Sequence, residues 1–127
     1  MAAPRNVRPM IRVPDVRATI DWYRSIGFEL IRTNEDDGQI DWALLSFGDG
    51  QIMFNAGGKS SSAARRDVYL YVNTDDVEGV YGTLKERIDI QKGLHDTFYG
   101  TREFIVRDVN GFWITFGQSL LLSDPPT

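Results

Sequence analysis

The stretch Tyr99 to Gly117, YGTREFIVRDVNGFWITFG, holds two apolar-rich strands joined by Asp108-Val109-Asn110-Gly111. Asn-Gly between such runs is a strong hairpin signal, because both residues tolerate the positive φ that hairpin turns use. A shorter echo lies about 60 residues earlier, where Gly48-Asp49-Gly50 leads into Gln51-Ile52-Met53-Phe54. The chain therefore reads as one motif used twice.

The echo extends to the helices. Ile11-Arg12-Val13 runs through Pro14-Asp15 into Val16, and Leu70-Tyr71-Val72 runs through Asn73-Thr74-Asp75-Asp76 into Val77. Each is an alternating strand, then an acidic or hydroxyl cap, then apolar residues at helical spacing. The first helix carries Val16, Ile20 and Tyr23 on one side and stops near Gly27; the second carries Val77, Val80, Tyr81 and Leu84. The expected strands lie near 6–13, 28–34, 40–47 and 50–55, then 67–73, 88–92, 102–108 and 112–118. The helices fall near 15–26 and 75–87, and Asp36-Asp37-Gly38 makes a hairpin turn.

With 127 residues, of which 42% are hydrophobic, the chain can bury one respectable core but not two independent ones. The expectation is a single domain, 1–127, with module 1 at about 5–56, a Gly/Ser-rich linker at about 57–65 and module 2 at about 66–120. No apolar run is long enough to cross a bilayer, and Met1 to Asn6 carries no apolar signal segment, so a cytoplasmic protein is expected. Eighteen acidic against fourteen basic residues, net charge −4, argue against a nucleic-acid partner. The absence of cysteine excludes disulfides, thiolate metal sites and cysteine nucleophiles.

Ile11-Arg12-Val13-Pro14-Asp15 with Trp22-Tyr23-Arg24-Ser25-Ile26-Gly27-Phe28, then Tyr99-Gly100-Thr101-Arg102-Glu103-Phe104 with Arg107-Asp108-Val109-Asn110-Gly111, resemble the vicinal-oxygen-chelate superfamily. That superfamily includes glyoxalase I, bleomycin-resistance proteins and extradiol dioxygenases, and the late stretch looks most like the bleomycin-resistance branch. The resemblance implies an α+β fold in which two βαβββ modules form a curved eight-stranded mixed sheet around a cup, with helices outside.

Strand alternation then divides the side chains. In the first strand Val7, Ile11 and Val13 fit the helix side and Arg8, Met10 and Arg12 the cup. In the fifth, Val68, Leu70 and Val72 fit the helix side, leaving Asp67, Tyr69 and Tyr71. Phe112, Ile114 and Phe116 likewise leave Trp113, Thr115 and Gly117, while Ile52 and Phe54 leave Gln51, Met53 and Asn55. A register slip of one residue would expose Phe54 instead.

Metal-dependent members resembling glyoxalase place His or Glu on four of these strands, at positions held here by Arg8, Met53, Asp67 and Thr115. Arg is cationic and Met is a soft thioether poorly matched to hard divalent ions, so only Asp67 is a good ligand. The single histidine, His95, is expected in a loop and cannot supply a two-histidine iron site from one chain. No catalytic metal and no cofactor are expected.

The remaining lining offers Tyr69, Tyr71 and Trp113 as stacking surfaces, with Phe98 and Tyr99 at the rim. Gln51, Asn55 and Thr115 supply neutral hydrogen-bonding groups; Arg8 and Arg12 meet an anion or pair with Asp67 or Glu103. For any one aromatic, filling the cup or a dimer interface is the ordinary alternative. Asp67 and Glu103 are the catalytic candidates. For Asp67 an ion pair with Arg8 or Arg66 weighs above catalysis; for Glu103 the sequence leaves open which face it occupies.

The leading functional expectation is a metal-free small-molecule-binding protein, a homodimer that sequesters an aromatic or cationic compound such as an antibiotic. The alternative is a lyase, isomerase or dioxygenase-like enzyme of the same fold with non-standard catalytic residues. A structural or regulatory protein follows if the cup is filled by its own side chains.

Overall fold

The computed structural model describes residues 5–61 and 68–121. They form two compact units, Met1–Ser60 and Ser61–Thr127. The first contains β1 (Met10–Val13), α1 (Val16–Ser25), β2 (Glu29–Asp36), β3 (Gln39–Phe47) and β4 (Gly50–Ala56). The second repeats the order with β5 (Tyr69–Asn73), α2 (Val77–Leu84), β6 (Asp89–Asp96), β7 (Thr101–Arg107) and β8 (Trp113–Ser119). The fold is thus α+β with two βαβββ modules, and the eight strands pair as two four-stranded mixed sheets. Their orders are β1-β4-β3-β2 and β5-β8-β7-β6, with the first strand of each parallel to the last.

Local chemistry explains the boundaries. The Asp15 carboxylate accepts the Ala18 N–H at 3.0 Å to cap α1, and the Asp76 carboxylate accepts the Gly79 N–H at 3.1 Å to cap α2. Gly27, at φ +109°, ends the first helix, where the Phe28 N–H reaches back to the Tyr23 carbonyl. Asp37 and Gly38 both take positive φ between the paired Asp36 and Gln39, the arrangement a two-residue hairpin needs.

The hairpin between β7 and β8 is built differently from a two-residue turn. The Gly111 N–H donates to the Asp108 carbonyl, and Asp108 and Phe112 close the loop through Asp108 N–H to Phe112 carbonyl at 2.9 Å. Only Gly111 adopts positive φ, at +80°. The Asp108 carboxylate accepts the N–H groups of Asn110 at 2.7 Å and Phe112 at 2.8 Å. It satisfies donors the tight turn would otherwise bury unpaired.

Each helix covers one face of its own sheet. Tyr23 of α1 sets its ring 4.9 Å from Phe54 of β4 and 5.0 Å from Phe28. Ile52 and Phe54 therefore face α1 and leave Gln51, Met53 and Asn55 on the opposite face. In the second unit Tyr81 of α2 lies 5.1 Å from Phe104, which stacks on Phe116 at 5.0 Å. Phe104, Val106, Ile114 and Phe116 are fully or almost fully buried.

Four expectations need correction. Val7 is 92% exposed, because the ladder starts only after Pro9, which lacks an N–H to pair; its carbonyl accepts the Met53 N–H and β1 begins at Met10. β6 runs to Asp96 rather than ending near residue 92, since register shifts between Ile90 and His95 absorb Gly93 and Leu94 into the strand. His95 is accordingly a half-buried strand residue, not a loop residue, with Nδ1 2.8 Å from the Gly93 carbonyl. α2 spans Val77–Leu84 and is shorter than the expected 75–87.

Candidate functional site

The chemistry concentrates on the face of the second sheet opposite α2. Because Phe104 and Phe116 point at α2, the neighbours one residue away, Glu103 on β7 and Thr115 on β8, point the other way. The register places Tyr69 beside Trp113 and Tyr71 beside Thr115, bringing β5 side chains to that same face. The Tyr69 hydroxyl lies 2.5 Å from Thr115 Oγ1.

Glu103 is the centre of the arrangement, and only 3% of it is exposed. Its Oε2 accepts the Tyr71 hydroxyl at 2.7 Å and the Thr101 hydroxyl at 2.9 Å. The Tyr99 hydroxyl bridges both oxygens, at 2.9 Å to Oε1 and 3.0 Å to Oε2. Thr101 is itself held by the Thr97 hydroxyl at 2.7 Å. No lysine or arginine takes part in these bonds, so a nearly buried carboxylate is satisfied by three neutral hydroxyls.

Burial alone would raise the Glu103 pKa. The hydroxyl bonds from Tyr71, Tyr99 and Thr101, helped by nearby His95, outweigh it and hold the carboxyl below its ordinary value. The two phenols shift oppositely. Desolvation and the Glu103 carboxylate push Tyr71 well up, and the Glu103 bond followed by desolvation pushes Tyr99 up. Glu103 is therefore ionised and both phenols neutral at physiological pH.

Tyr71 reaches Glu103 only by crossing β8. Gly117 lies between them in the ladder, paired with Glu103 on one side and Asn73 on the other. A Cβ on Gly117 would run into the Tyr71 hydroxyl and ring. Absence of a side chain at residue 117 is what lets the ring lie across the strand.

Other expected site residues are placed as follows. Trp113 and Thr115 share the Glu103 face; Thr115 is fully buried and Trp113 half-buried. Tyr69 and Tyr71 are each 44% exposed, and Phe98 is wholly exposed, its ring edge-on to Tyr99 at 5.1 Å. In the first unit Met53 and Asn55 are half-buried on the face opposite α1, Asn55 with an Oδ1 that meets no donor among the described residues. Arg8 is exposed and donates to Gln51 Oε1 at 3.4 Å. Asp67, with its suggested pairings to Arg8, Arg12 and Arg66, lies outside the described residues. Within the second unit the Glu103 carboxylate takes the hydroxyls of Tyr71, Tyr99 and Thr101.

The sequence reading named Glu103, Tyr99 and, as a stacking surface, Tyr71, but missed Thr101 and Gly117 as contributors. Tyr99-x-Thr101-x-Glu103 at period two was a legible signal. Gly117 beneath Tyr71 was not, since it depends on cross-strand register.

Of the four positions that the resemblance gives to metal ligands, Asp67 lies outside the described residues, and the other three are side chains poorly suited to a divalent ion. Arg8 is a cation, Met53 a thioether, and the Thr115 hydroxyl is engaged with Tyr69. Among the described residues, no group of three or more His, Cys, Asp and Glu is placed to hold a metal ion, and no helix is long and apolar enough to cross a membrane.

Repeated βαβββ units, each with one face under its helix and the other presenting polar and aromatic side chains, define the class of paired-module α+β proteins. Residues 6–116 match the glyoxalase/bleomycin resistance protein/dioxygenase superfamily, and the chain belongs to it. TioX from Micromonospora sp. ML1 is similar at 26% identity and TM-score 0.74, covering 91% of this chain and 100% of that one. A glyoxalase/bleomycin resistance protein/dioxygenase from Alicyclobacillus acidocaldarius is 19% identical with TM-score 0.74, covering 95% and 96%. A bleomycin-binding protein complexed with bleomycin shares the fold at 19% identity and TM-score 0.66, covering 91% and 99%. No curated protein matches the chain.

Proposed function

We propose that this protein binds a small aromatic or cationic molecule on the Glu103 face of the second sheet, without a metal, and acts by sequestering it. One observation carries the reading: an ionised, nearly buried carboxylate flanked by the half-exposed rings of Tyr71 and Tyr99. Ring faces attract planar and cationic groups, and a carboxylate in a partly dry setting rewards a matching positive charge. Tyr69 and Trp113 extend the aromatic surface, and Phe98 stands at its edge. The bleomycin-binding protein is a precedent for this scaffold holding an antibiotic, and sequestration of an antibiotic by a homodimer is the finer form of the proposal.

The same geometry weighs against acid–base catalysis at Glu103. A general base must be free to take a proton near neutral pH. Glu103 already accepts three hydroxyls and its pKa is lowered, not raised. The donor set described above likewise supports a metal-free protein.

Titration calorimetry and thermal shift with bleomycin and a panel of planar aromatic cations test the reading. A ligand that binds only the folded state raises apparent stability by RT ln(1 + [L]/Kd). No binding by any such compound, together with turnover of a hemithioacetal, thioester or catechol, overturns it in favour of an enzyme. Stoichiometric zinc, nickel, manganese or iron in the purified protein overturns the metal-free part, and light scattering tests the homodimer.

A further inference from the structure

We propose that Glu103 is a gated ammonium site: the Tyr71 hydroxyl stands in for the ligand's N–H donor and is displaced when a primary ammonium or amidinium group binds. The inference rests on the small-molecule-binding reading and specifies its ligand class and the movement that admits it.

The argument begins with how the carboxylate is filled. Oε2 takes three hydroxyl donors, from Tyr71, Tyr99 and Thr101, whereas Oε1 takes only Tyr99. With 3% of the residue exposed, an incoming donor cannot approach while all three remain. Thr101 is a poor candidate to leave, because its hydroxyl and N–H are tied to Thr97 Oγ1 and its side chain is short. Tyr71 differs. It is 44% exposed, it rests on a glycine, and its hydroxyl, at the end of a long side chain, donates to Glu103 with the Thr101 hydroxyl beside it.

Displacement is also electrostatically sensible. A phenol gives the ionised carboxylate a hydrogen bond but no charge of its own, while an ammonium or amidinium adds a full positive charge to its hydrogen bond and so pairs with the carboxylate coulombically as well. The released ring stays beside the bound cation, where its face is attractive. Gly117 leaves clear the floor that Tyr71 vacates, so the ligand's head can lie where the hydroxyl was. A quaternary ammonium has no N–H to put there, and a neutral alcohol has no charge. Both are excluded from the class.

Benzylammonium, benzyltrimethylammonium and benzyl alcohol at pH 7.5 are matched probes, read by titration calorimetry and by amide shifts of β7 and β8. The expected order is benzylammonium well ahead of the other two, with binding lost in Glu103→Gln. Tyr71→Phe removes the competitor while keeping the ring, so benzylammonium binds about threefold or more tighter than to the parent protein. Weaker or unchanged binding in Tyr71→Phe overturns the displacement, as does equal binding of benzyltrimethylammonium. If Glu103→Gln fails to fold by circular dichroism, Tyr71→Phe and the probe series still decide. Binding of bleomycin or planar aromatics at this face with benzylammonium silent leaves the broader reading standing and sinks this one. Silence of every aromatic ligand sinks both.

Discussion

The Tyr71 hydroxyl lies 2.7 Å from Glu103 Oε2, although the two residues belong to β5 and β7 and β8 runs between them. Gly117 makes the crossing possible. Three strands therefore cooperate in one bond, and several outcomes depend on it.

Gly117→Ala forces the Tyr71 ring off the strand, since even a methyl group overlaps its hydroxyl and ring carbons. The loss of a hydrogen bond to a nearly buried carboxylate costs about 1–3 kcal/mol, read as a lower midpoint in urea unfolding. Combined with Tyr71→Ala the new methyl has nothing to strike, so the double variant is more stable than the sum of the single effects allows. Strict additivity would show that the ring does not lie where described.

Acid stability follows from the lowered Glu103 pKa. A group whose folded pKa lies below its unfolded value stabilises fully above the unfolded value, about 4.3 for Glu, and loses that contribution as pH falls through the folded one. Glu103→Gln therefore flattens the fall in stability below about pH 4 relative to the parent. The raised Tyr71 and Tyr99 pKa values act at the other end. Their contribution is complete below the unfolded phenol value of about 10 and is lost as pH rises beyond it, so Tyr71→Phe lessens the alkaline fall. Unfolding midpoints between pH 3 and 11 measure both limbs, over a range of about eight units.

The two residues that flank Glu103 in the chain, Arg102 and Phe104, answer differently to removal. Phe104 is fully buried against Tyr81 and Phe116, and Phe104→Ala costs about 3–5 kcal/mol. Arg102 pairs with Glu78 and with Asp96 at 2.7 Å on a partly exposed surface, where salt screens the attraction. Arg102→Ala produces a much smaller loss that shrinks further in high salt. Chemical denaturation at two ionic strengths separates the cases.

Asp108→Ala removes the side-chain acceptor of two backbone donors in the hairpin, the N–H groups of Asn110 and Phe112, and leaves only the backbone bonds to close the turn. The expected cost is about 2–4 kcal/mol, with Asp108→Asn milder because its amide oxygen still accepts. A loss no larger than that of an exposed surface substitution would show that the carboxylate does not hold the turn.

Much of the architecture was written in local patterns. Asp15 and Asp76 precede apolar residues at helical spacing, and Asp37-Gly38 and Asn110-Gly111 mark turns. These signals act within a few residues, so they can be read without knowing the partners. The failures share a cause as well. β6 lengthened because register shifts against β7 carried Gly93 to Asp96 into the ladder, and β1 shortened because Pro9 could give no N–H. Strand ends depend on what lies across the gap, and no local window contains that.

By itself, then, the sequence determined the repeated βαβββ order, the helix caps, the principal turns and the alternation that separates Phe104 from Glu103. Those follow from backbone geometry, since period two or 3.6 assigns a side chain to a face wherever the element sits. Tertiary structure alone decided which face Glu103 takes, that the hydroxyls of Tyr71, Tyr99 and Thr101 gather on its carboxylate, and that Gly117 opens the path for Tyr71. The physical reason is register: residues 71, 103 and 117 meet only when β5, β7 and β8 are paired in the order β5-β8-β7, with each residue at its own step of the ladder.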